Sequence, residues 1–514
     1  MLNLSLILQE GAKKYPSKIA FSFKDEHFSY TQINEAADQV ANGLKSIGIN
    51  AGDKVALTCP NIPAFPIIYY GVIKLGAVLV PLSVLLKTEE ILYQLKDCDA
   101  KAYFCYTGTT ELPMGQLGYT AFKEAKQCDH FFMIMPDTAM PSSIPGTQTL
   151  ADLLNGQPAQ FEICQTKAED TCIIIYTSGT TGYPKGAELT HSNLFFNMLV
   201  ATELLDNVLE DVTLIALPLF HIFGMTVLMN AGIYKANNNV LLDRFTAEQA
   251  FDAMQKNAVT IFAGVPTMYW ALLNCTSVFY DYKLISKTLK TCLSGGASLP
   301  VKLLEDFESR FGVEIWEGYG MSEGSPIVTF NHRSVGRKPG SIGKAVWGVE
   351  VKLVNEDNNE VAVGEKGELL FRGHNVMSGY YNKAEATAKA LQNGWMHSGD
   401  IAVQDEDGFY YIVDRIKDMI IRAGFKVYPR EIEEMMMKHE AVSLVAVIGI
   451  PDKELSEEVK AYVVLKENHV VSEEALIKWT KENLAAYKYP RHIEFISAMP
   501  MSATGKILKR ELRK

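Results

Sequence analysis

One stretch of the chain has the composition of a polyphosphate-binding loop, namely Tyr176-Thr177-Ser178-Gly179-Thr180-Thr181-Gly182-Tyr183-Pro184-Lys185-Gly186. Its glycines allow the backbone to approach a ligand closely, and successive backbone N–H groups can form a concave anion site. The hydroxyls and the Lys185 ammonium add donors and positive charge. The stretch is not a Walker A loop, because Lys185 lies between proline and glycine and no G-K-[ST] follows. We predict that it binds phosphate groups.

The elements around this loop read as strands and helices in alternation. The apolar run from Thr171 to Ile175 predicts a buried strand before the loop, and a helix is expected to begin near Ser192 after it. Further runs predict strands that each end in a turn or a Gly-bearing loop: Lys54–Thr58, Ala77–Pro81, Leu214–Leu217, Val259–Pro266, Leu289–Ser294 and Val313–Trp316. This alternation favours parallel sheets with crossover helices and a site at their carboxyl edge.

The pattern changes twice after residue 340. Val349–Val354, Gly367–Phe371 and Gly408–Val413 read as short strands between turns, which predicts a small β-barrel-like subdomain. The last hundred or so residues alternate helix and strand again, as in a small α+β domain. We therefore predict an α/β protein with an N-terminal domain over residues 1–414, divided into 1–340 and a β-rich part at 341–414. A hinge at 415–418 and a C-terminal domain at 419–514 follow.

Composition excludes several classes of protein. The chain has 514 residues and a formal net charge of -11, which argues against binding nucleic acid over an extended footprint. Eight cysteines occur without a C-x-x-C pair, as expected of free thiols in a reducing cytoplasm. The apolar stretches Pro66–Leu86 and Leu214–Ile233 are interrupted by proline and polar residues, so neither reads as a membrane span. We predict a cytoplasmic protein, with peripheral membrane contact and a homodimer both left open.

Motifs spread over nearly the whole chain carry a resemblance to a known family. In order they are Tyr176–Gly186, Leu217-Pro218-Leu219-Phe220-His221, Glu317–Glu323, Gly367-Glu368-Leu369 with Gly379-Tyr380-Tyr381-Asn382, Trp395–Asp400, Asp414–Glu433 and Pro500–Lys506. The chain resembles the adenylate-forming ligases, which include acyl-CoA synthetases, nonribosomal-peptide adenylation domains and firefly-type luciferases. Within that family it is most similar to bacterial medium- to long-chain fatty acid–CoA ligases.

The resemblance implies a two-step reaction. ATP would convert a carboxylic acid to an acyl adenylate with release of pyrophosphate, and coenzyme A would then displace AMP to give a thioester. The first step joins two anions, so positive charge and fixed donors must offset their repulsion. ATP, Mg²⁺ and coenzyme A are the implied small molecules.

The same resemblance assigns nucleotide-binding residues. The phosphate-binding set would be Thr177, Ser178, Gly179, Thr180, Thr181, Gly182 and Lys185, with Glu323 and Thr180 holding Mg²⁺. The set enclosing adenine would be Gly296, Ala297, Glu317, Gly318, Tyr319, Gly320, Met321 and Ser322, with Tyr319 as the stacking ring. Asp400 and Arg415 would bind the ribose.

Three further assignments concern the chemistry and its motion. Lys506 matches the lysine that bridges the carboxylate and the α-phosphate, and with Glu323 and His221 it completes the expected catalytic set. Lys417 matches the hinge about which the C-terminal domain rotates between the two steps. Gly424 and Phe425 would then line the thiol tunnel; Lys426, which follows them, departs from the Asn or Gln frequent there.

The identities of the two co-substrates are less fixed. His221 stands where amino-acid-activating domains have an aspartate, which favours an acid without an α-amino group. His221, Phe223, Met225, Val265 and Thr267 are candidate walls of an acyl pocket, whose apolar surface would favour an alkyl or aryl tail. We expect no fused carrier domain after Lys514, which would make coenzyme A the simplest acceptor. The alternatives are an acyl-AMP ligase that delivers to a carrier protein, a luciferase-like oxidase and a non-catalytic sensor of adenylates or acyl ligands.

Overall fold

The computed structural model describes residues 2–177, 183–277 and 279–513. Predicted members of the loop at 178–182 therefore lie outside the described residues. The helices are α1 Leu6–Lys14, α2 Tyr30–Ser46, α3 Ala64–Lys74, α4 Thr88–Asp97, α5 Met114–Glu124, α6 Leu150–Leu154, α7 His191–Leu204, α8 Ala231–Tyr234, α9 Ala247–Asn257, α10 Pro266–Asn274, α11 Tyr282–Thr288, α12 Val301–Phe311, α13 Ala384–Ala390, α14 Pro429–Met436, α15 Glu473–Asn483 and α16 Lys509–Leu512. A π-helix, Phe223–Asn230, and a 3₁₀-helix, Ser322–Gly324, complete this set.

The strands fall into four sheets within the described ranges. They are β1 Ile19–Phe23, β2 Glu26–Ser29, β3 Lys54–Thr58, β4 Val78–Leu82, β5 Ala100–Tyr106, β6 His130–Ile134, β7 Gln148–Thr149, β8 Thr171–Thr177, β9 Lys185–Thr190, β10 Val212–Ile215, β11 Asn238–Leu241, β12 Ile261–Gly264, β13 Thr291–Ser294, β14 Ile315–Gly320, β15 Ile327–Phe330, β16 Lys344–Ala345, β17 Val349–Val354, β18 Lys366–Gly373, β19 Gly379–Tyr380, β20 Leu391–Gln392, β21 Trp395–Gln404, β22 Tyr410–Arg415, β23 Ile420–Arg422, β24 Phe425–Val427, β25 Val442–Asp452, β26 Ser456–Leu465 and β27 His492–Phe495.

Two large sheets form the body of the molecule. One has the order β19-β9-β8-β4-β3-β5-β6-β7, and the other has the order β16-β15-β14-β13-β12-β10-β11-β1-β2. Their central strands are parallel, and antiparallel strands lie toward their edges. A single hydrophobic core contains Leu57 and Leu79 of the first sheet, Leu214 and Phe262 of the second, and Leu194 of α7. The predicted α/β architecture is confirmed.

Strand β9 is absent from the sequence prediction, which placed only a loop between β8 and α7. Lys185 begins this strand, and β9 pairs antiparallel with β8, with Thr177 opposite Lys185. Helix α7 then starts at His191, because the Thr190 hydroxyl accepts a hydrogen bond from the Asn193 backbone N–H and the Asn193 side chain accepts one from the Thr190 backbone N–H. The phosphate loop therefore joins two paired strands, and Lys185 has a fixed place at the end of one of them.

Beyond residue 340 the chain forms two smaller sheets. The first has the order β17-β18-β21-β20, with β22 paired to β21, and its pairs are antiparallel. The second has the order β24-β23-β26-β25, with β27 beside β26. Helices α14 and α15 contribute Ile432 and Leu476 to a separate core with this last sheet. These units match the predicted β-rich subdomain and the α+β C-terminal part.

The apolar stretch Pro66–Leu86 forms α3 and β4, and its lysine is buried within the protein. The Lys74 ammonium lies 2.5 Å from Asp38 Oδ1 and 2.7 Å from Asn34 Oδ1, both on α2. A buried charge needs such partners, because burial without them would be strongly unfavourable. In the described part of the chain, no helix is long and apolar enough to cross a bilayer.

Candidate active site

The Glu323 carboxylate lies where β8 of one large sheet approaches the 3₁₀-helix that follows β14 of the other. The side chain of Glu323 is buried, and its Oε1 accepts hydrogen bonds from Thr177 Oγ1 at 3.0 Å and from the Tyr380 hydroxyl at 2.8 Å. Burial and the charge of Glu323 hold the pKa of Tyr380 well above its ordinary value, so this hydroxyl stays a donor. The structure thus brings together two predicted residues, Thr177 and Glu323, and adds Tyr380.

Lys185 lies on the other side of the same tyrosine. Its Nζ is 4.5 Å from the centroid of the Tyr380 ring, a cation–π distance. Tyr380 therefore contacts both the predicted phosphate-binding lysine and the predicted metal-binding carboxylate. Tyr380 belongs to one of the sequence motifs, but no role was predicted for it. A tyrosine among other tyrosines carries no signal of these two contacts.

A second polar group forms around Asp400 on β21. The Tyr319 hydroxyl donates to Asp400 Oδ2 at 2.5 Å, and Arg415 Nε lies 3.1 Å from Oδ1. Asp400 is buried, and its backbone N–H donates a hydrogen bond to Ser398 Oγ. Burial and the neighbouring carboxylate hold the pKa of Tyr319 well above its ordinary value. A carboxylate with both oxygens oriented in this way can still accept from vicinal hydroxyls, because each oxygen has two acceptor sites.

The residues predicted to enclose adenine form β14 and the turns beside it. Gly318 and Gly320 lie in β14 rather than in a loop, and a Cβ on Gly320 would come within 1.9 Å of Pro326 O. This glycine is therefore required for the pairing of β14 with β15. Met321 then leads into the 3₁₀-helix that begins at Ser322.

The side chain of Glu317 supports a neighbouring loop. Its Oε1 accepts from the backbone N–H of Leu299 at 3.0 Å, just after the Gly296-Ala297 turn. Burial raises the pKa of this carboxyl to about 7, against the opposing charge of Arg430. Glu317 thus holds the loop that follows β13, and its carboxyl group is directed at that loop.

Lys506 reaches this site from the C-terminal domain. Gly505 O accepts from Thr267 Oγ1 at 2.8 Å, which docks the segment on the first turn of α10. A Cβ on Gly296 would lie 3.2 Å from Lys506 Cε, so the lysine stem passes close over the turn after β13. Burial and the positive charge of Arg415 lower the pKa of Lys506 to about 8, while Asp400 and Glu323 act in the opposite direction.

His221 lies beside this lysine at the start of the π-helix. Burial and the Lys506 charge lower the pKa of His221 to about 3, so the ring is neutral near pH 7. The backbone N–H of Phe223 donates to His221 Nδ1 at 3.3 Å, which leaves Nε2 to carry the proton. The ring can therefore offer an N–H donor to a carboxylate without adding a charge.

Of the predicted acyl-pocket residues, Phe223 and Met225 contact His221, and Val265 and Thr267 lie beside the Lys506 segment. Met225 is fully buried in the π-helix, and the Phe223 ring comes within 3.1 Å of where a Cβ on Gly295 would lie. Val265 is also buried, next to Gly296 and Gly505. The hydroxyl of Thr267 is used in the contact with Gly505. π-Helical turns occur often at functional sites, where they redirect side chains.

The predicted thiol-side residues lie apart from this cluster. Gly424 lies in the β23–β24 hairpin turn and Phe425 begins β24, where its half-exposed ring stacks on Tyr487 at 4.8 Å. Lys426 pairs with Glu356 of the β-rich subdomain at 2.7 Å. Arg415, the first residue of the predicted hinge, still belongs to β22, and Lys417 lies two residues beyond it. The structure therefore places Lys506 next to Gly296 and Thr267, whereas Phe425 and Lys426 contact other residues, Tyr487 and Glu356.

Within the described residues, no cluster of three His, Cys, Asp or Glu side chains could hold a metal ion. A Mg²⁺ ion bound to nucleotide phosphates needs only one or two protein carboxylates, so the buried carboxylate of Glu323 fits that kind of site. The other predicted ligand, Thr180, lies outside the described residues. The cysteines of the described chain are free and all but Cys164 are buried.

Comparisons with known proteins agree with this geometry. The sequence model of the AMP-binding enzyme family matches residues 8–381, and that of the AMP-binding enzyme C-terminal domain matches residues 431–506. A long-chain-fatty-acid–CoA ligase of Bacillus subtilis (strain 168) is 35% identical, over 99% of this chain and 94% of its own. A feruloyl-CoA synthase of Amycolatopsis sp is 33% identical, over 98% and 97%. The crystal structure of an anthranilate CoA ligase with anthranoyl-AMP superposes with a TM-score of 0.90 at 30% identity, covering 99% and 96%.

The chain belongs to the AMP-binding enzyme family, whose fold and paired domains it shares throughout its length. More narrowly, it is an AMP-forming acid–CoA ligase that passes through an adenylate.

Proposed function

We propose that the acid is a fatty acid and that the product is its coenzyme A thioester. The observation that carries this proposal is the apolar π-helix behind His221. Between His221 and Lys235 the chain has no ionisable side chain apart from tyrosine, and Met225 through Asn230 are buried. A surface of this kind stabilises an alkyl tail by about 0.8 kcal/mol per buried methylene and offers no partner to a second charge on the acid. The likeness to the Bacillus subtilis ligase supports the same choice.

In the first step the protein must bring a carboxylate to the α-phosphate of ATP. The neutral His221 ring donates from Nε2 to one carboxylate oxygen, and the Lys506 ammonium bridges the carboxylate and the α-phosphate. Asp400 and Arg415 fix the ribose, so that the α-phosphate has a defined position. Orienting both reactants in this way lowers the activation barrier, because their translational and rotational entropy is lost on binding and not in the reaction step.

The leaving pyrophosphate is held on the other side. Thr177, Lys185 and the residues at 178–182 bind its oxygens, and Glu323 with Thr180 would hold Mg²⁺. When bound, Mg²⁺ offsets the negative charge of the phosphates. Tyr380 orients Glu323 through its hydroxyl and supports Lys185 through its ring.

In the second step a thiol must reach the acyl carbon that Lys506 now obstructs. Rotation of the C-terminal domain about Lys417 withdraws Lys506 and brings Gly424 and Phe425 toward the site. A charge needed for one step and harmful in the next is well placed on a moving domain.

Product analysis tests the proposal. Purified protein is incubated with ATP, Mg²⁺, coenzyme A and a panel of straight-chain acids from short to long, with ferulate, anthranilate and benzoate as aromatic competitors. We expect kcat/KM for thioester formation to rise with chain length and to exceed that for each aromatic acid. A preference for an aromatic acid would overturn the fatty acid assignment and leave the ligase class intact.

The acceptor is tested in the same mixtures. Thioester formed with free coenzyme A supports the ligase. Acyl-AMP that accumulates until an acyl carrier protein is added would instead support the alternative, a fatty acyl-AMP ligase. A chain that binds acyl-AMP but releases no pyrophosphate would support the sensor.

A further inference from the structure

A buried aspartate behind the phosphate-binding strands has no role in the chemistry described above. Asp97 is the last residue of α4, and its side chain is 8% exposed. Its carboxylate accepts a hydrogen bond from the Tyr176 hydroxyl at 2.9 Å and lies 2.7 Å from the Lys383 ammonium. The Tyr93 hydroxyl is 3.3 Å away. A carboxylate buried with this many partners is strongly fixed in position.

Two of these partners reach the residues on either side of the stretch 178–182. Tyr176 lies in β8, one residue before Thr177. The Tyr93 hydroxyl lies 2.9 Å from Pro184 O, and the Tyr93 ring stacks on Tyr183 at 4.8 Å. The single hydroxyl hydrogen of Tyr93 can therefore go to Pro184 or to Asp97. Both ends of the phosphate-binding segment are thus connected to the end of α4.

The third partner connects Asp97 to the Glu323 side of the site. The backbone N–H of Lys383 donates to Tyr380 O at 3.0 Å, so Lys383 and Tyr380 share one short turn after β19. Tyr380 in turn contacts both Glu323 and Lys185. The Asp97 carboxylate is therefore linked both to β8, through Tyr176, and to the turn after β19, through Lys383. These two parts of the site are distant in sequence.

The protonation states suit this role. Burial, with a smaller contribution from the charge of Asp97, raises the pKa of Tyr176 and of Tyr93. The hydrogen bond to Asp97 raises the pKa of Lys383. The tyrosines therefore remain donors and the lysine remains charged near pH 7.

We propose that Asp97 is a positioning residue for polyphosphate binding: through Tyr176, Tyr93 and Lys383 it fixes Thr177 and Lys185 relative to Tyr380 and Glu323. The proposal rests on the nucleotide site assigned under the proposed function. Asp97 acts through these side chains and does not itself contact the substrate.

The test measures the two half-reactions separately in the variant Asp97→Asn. Adenylation, measured by ATP–pyrophosphate exchange, depends on phosphate binding, whereas thioester formation from supplied acyl-AMP and coenzyme A does not. We expect KM for ATP and for pyrophosphate to rise about tenfold, as for loss of one charge-assisted hydrogen bond, with the KM for the acid unchanged. Thioester formation from acyl-AMP should stay within about twofold of wild type.

Asp99→Asn is the matched control. Asp99 lies two residues away, is exposed and accepts a hydrogen bond from Tyr381 at 3.1 Å, so its variant should have wild-type constants in both half-reactions. Should Asp97→Asn fail to fold, Tyr176→Phe removes only one hydroxyl of the network, and it should raise the KM for ATP about threefold. Lys383→Met should reproduce the Asp97→Asn phenotype, and the double variant should be no worse than either single one.

Unchanged KM values for ATP and pyrophosphate in folded Asp97→Asn would overturn the proposal. Equal losses in both half-reactions with a lowered Tm would also overturn it, because they would indicate a purely structural role. Absence of exchange in the wild type would instead contradict the proposed function.

Discussion

The Glu323 side of the active site and the Lys506 segment contribute to the same space by different structural means. Glu323 is 6% exposed, and its partners Thr177 and Tyr380 come from strands of the same large sheet. Lys506 lies on a turn of the C-terminal domain that is docked on α10 by the hydrogen bond from Thr267 to Gly505. The first group is part of a continuous core, whereas the second depends on a contact between domains.

Two further polar contacts between the domains fit this contrast. Trp270 Nε1 donates to Ser443 Oγ at 3.1 Å, and Lys426 pairs with Glu356 on an exposed surface. Exposed ion pairs of this kind stabilise by only about 0–1 kcal/mol. On the proposed function, the nucleotide contacts Glu323 and Thr177 within the core, whereas Lys506 is held by a contact between domains that is weak enough to be exchanged between the two steps.

Of the substitutions that test this contrast, Lys506→Ala is expected to have the largest effect. Adenylation should fall by about 10²- to 10³-fold or more, since a preorganised positive charge is lost from the transition state. Thioester formation from supplied acyl-AMP should remain within about twofold of wild type, because the proposed domain rotation withdraws Lys506 for that step. Rapid-quench assays of each half-reaction measure both. Lys453→Ala, at an exposed turn, is the control, and equal loss of both half-reactions would show that the lysine is wrongly assigned.

Asp400→Ala tests the preformed region. It removes the partner of both Tyr319 and Arg415, and we expect the KM for ATP to rise by about 10²-fold. Both half-reactions should suffer, because acyl-AMP carries the same ribose as ATP. The exposed Asp357→Ala serves as the control. If only adenylation were affected, Asp400 would belong functionally with Lys506, and the contrast between the regions would fail.

Gly505→Ala tests the contact between the domains, because it should loosen only the docked segment that carries Lys506. Gly505 has φ +76°, and a Cβ there would lie 2.8 Å from Thr267 Oγ1 and Val265 Cγ2. Adenylation should drop about tenfold while thioester formation from acyl-AMP is maintained. Gly364→Ala is matched in conformation, with φ +87° and open space around it, and should leave both rates unchanged. A similar loss in both variants would attribute the effect to backbone strain instead.

The smallest effect concerns pH. Lys506 is charged below its lowered pKa of about 8, so adenylation should fall as the pH rises through that value, reaching about half its maximum there. His221 stays neutral over this range, since its pKa is about 3. In Lys506→Arg the guanidinium remains charged, and the alkaline decline should disappear from single-turnover rates. A decline that persists in Lys506→Arg would assign the titration to another group.

Much of the architecture could be read from local patterns. The apolar runs Lys54–Thr58 and Val349–Val354 coincide with β3 and β17, because turn residues bound them on both sides. The run before the phosphate loop became β8, extended by two residues. The motifs predicted the family, which the comparisons confirm, and the ligase class.

Strand β9 and the hydrogen-bond partners within the site could not be read in this way. Residues 185–190 lack a clear period-two pattern, and they form a strand because β8 and β19 supply partners on both sides. Tyr319 was expected to act through its ring, yet its hydroxyl is held by Asp400, 81 positions along the chain. Pairs so distant in sequence depend on sheet order and register, which local propensity does not encode.

The amino-acid sequence specifies which chemical groups the protein possesses: a hydroxyl-rich loop, several acidic side chains and the lysine at position 506. Which of these groups come into contact depends on how the elements pack. The docking of Gly505 on Thr267 brings Lys506 to His221, and the end of α4 places Asp97 behind the phosphate-binding strands. Both arrangements arise because packing elements together fixes side chains from remote positions at hydrogen-bonding distance, and such distances are properties of the fold.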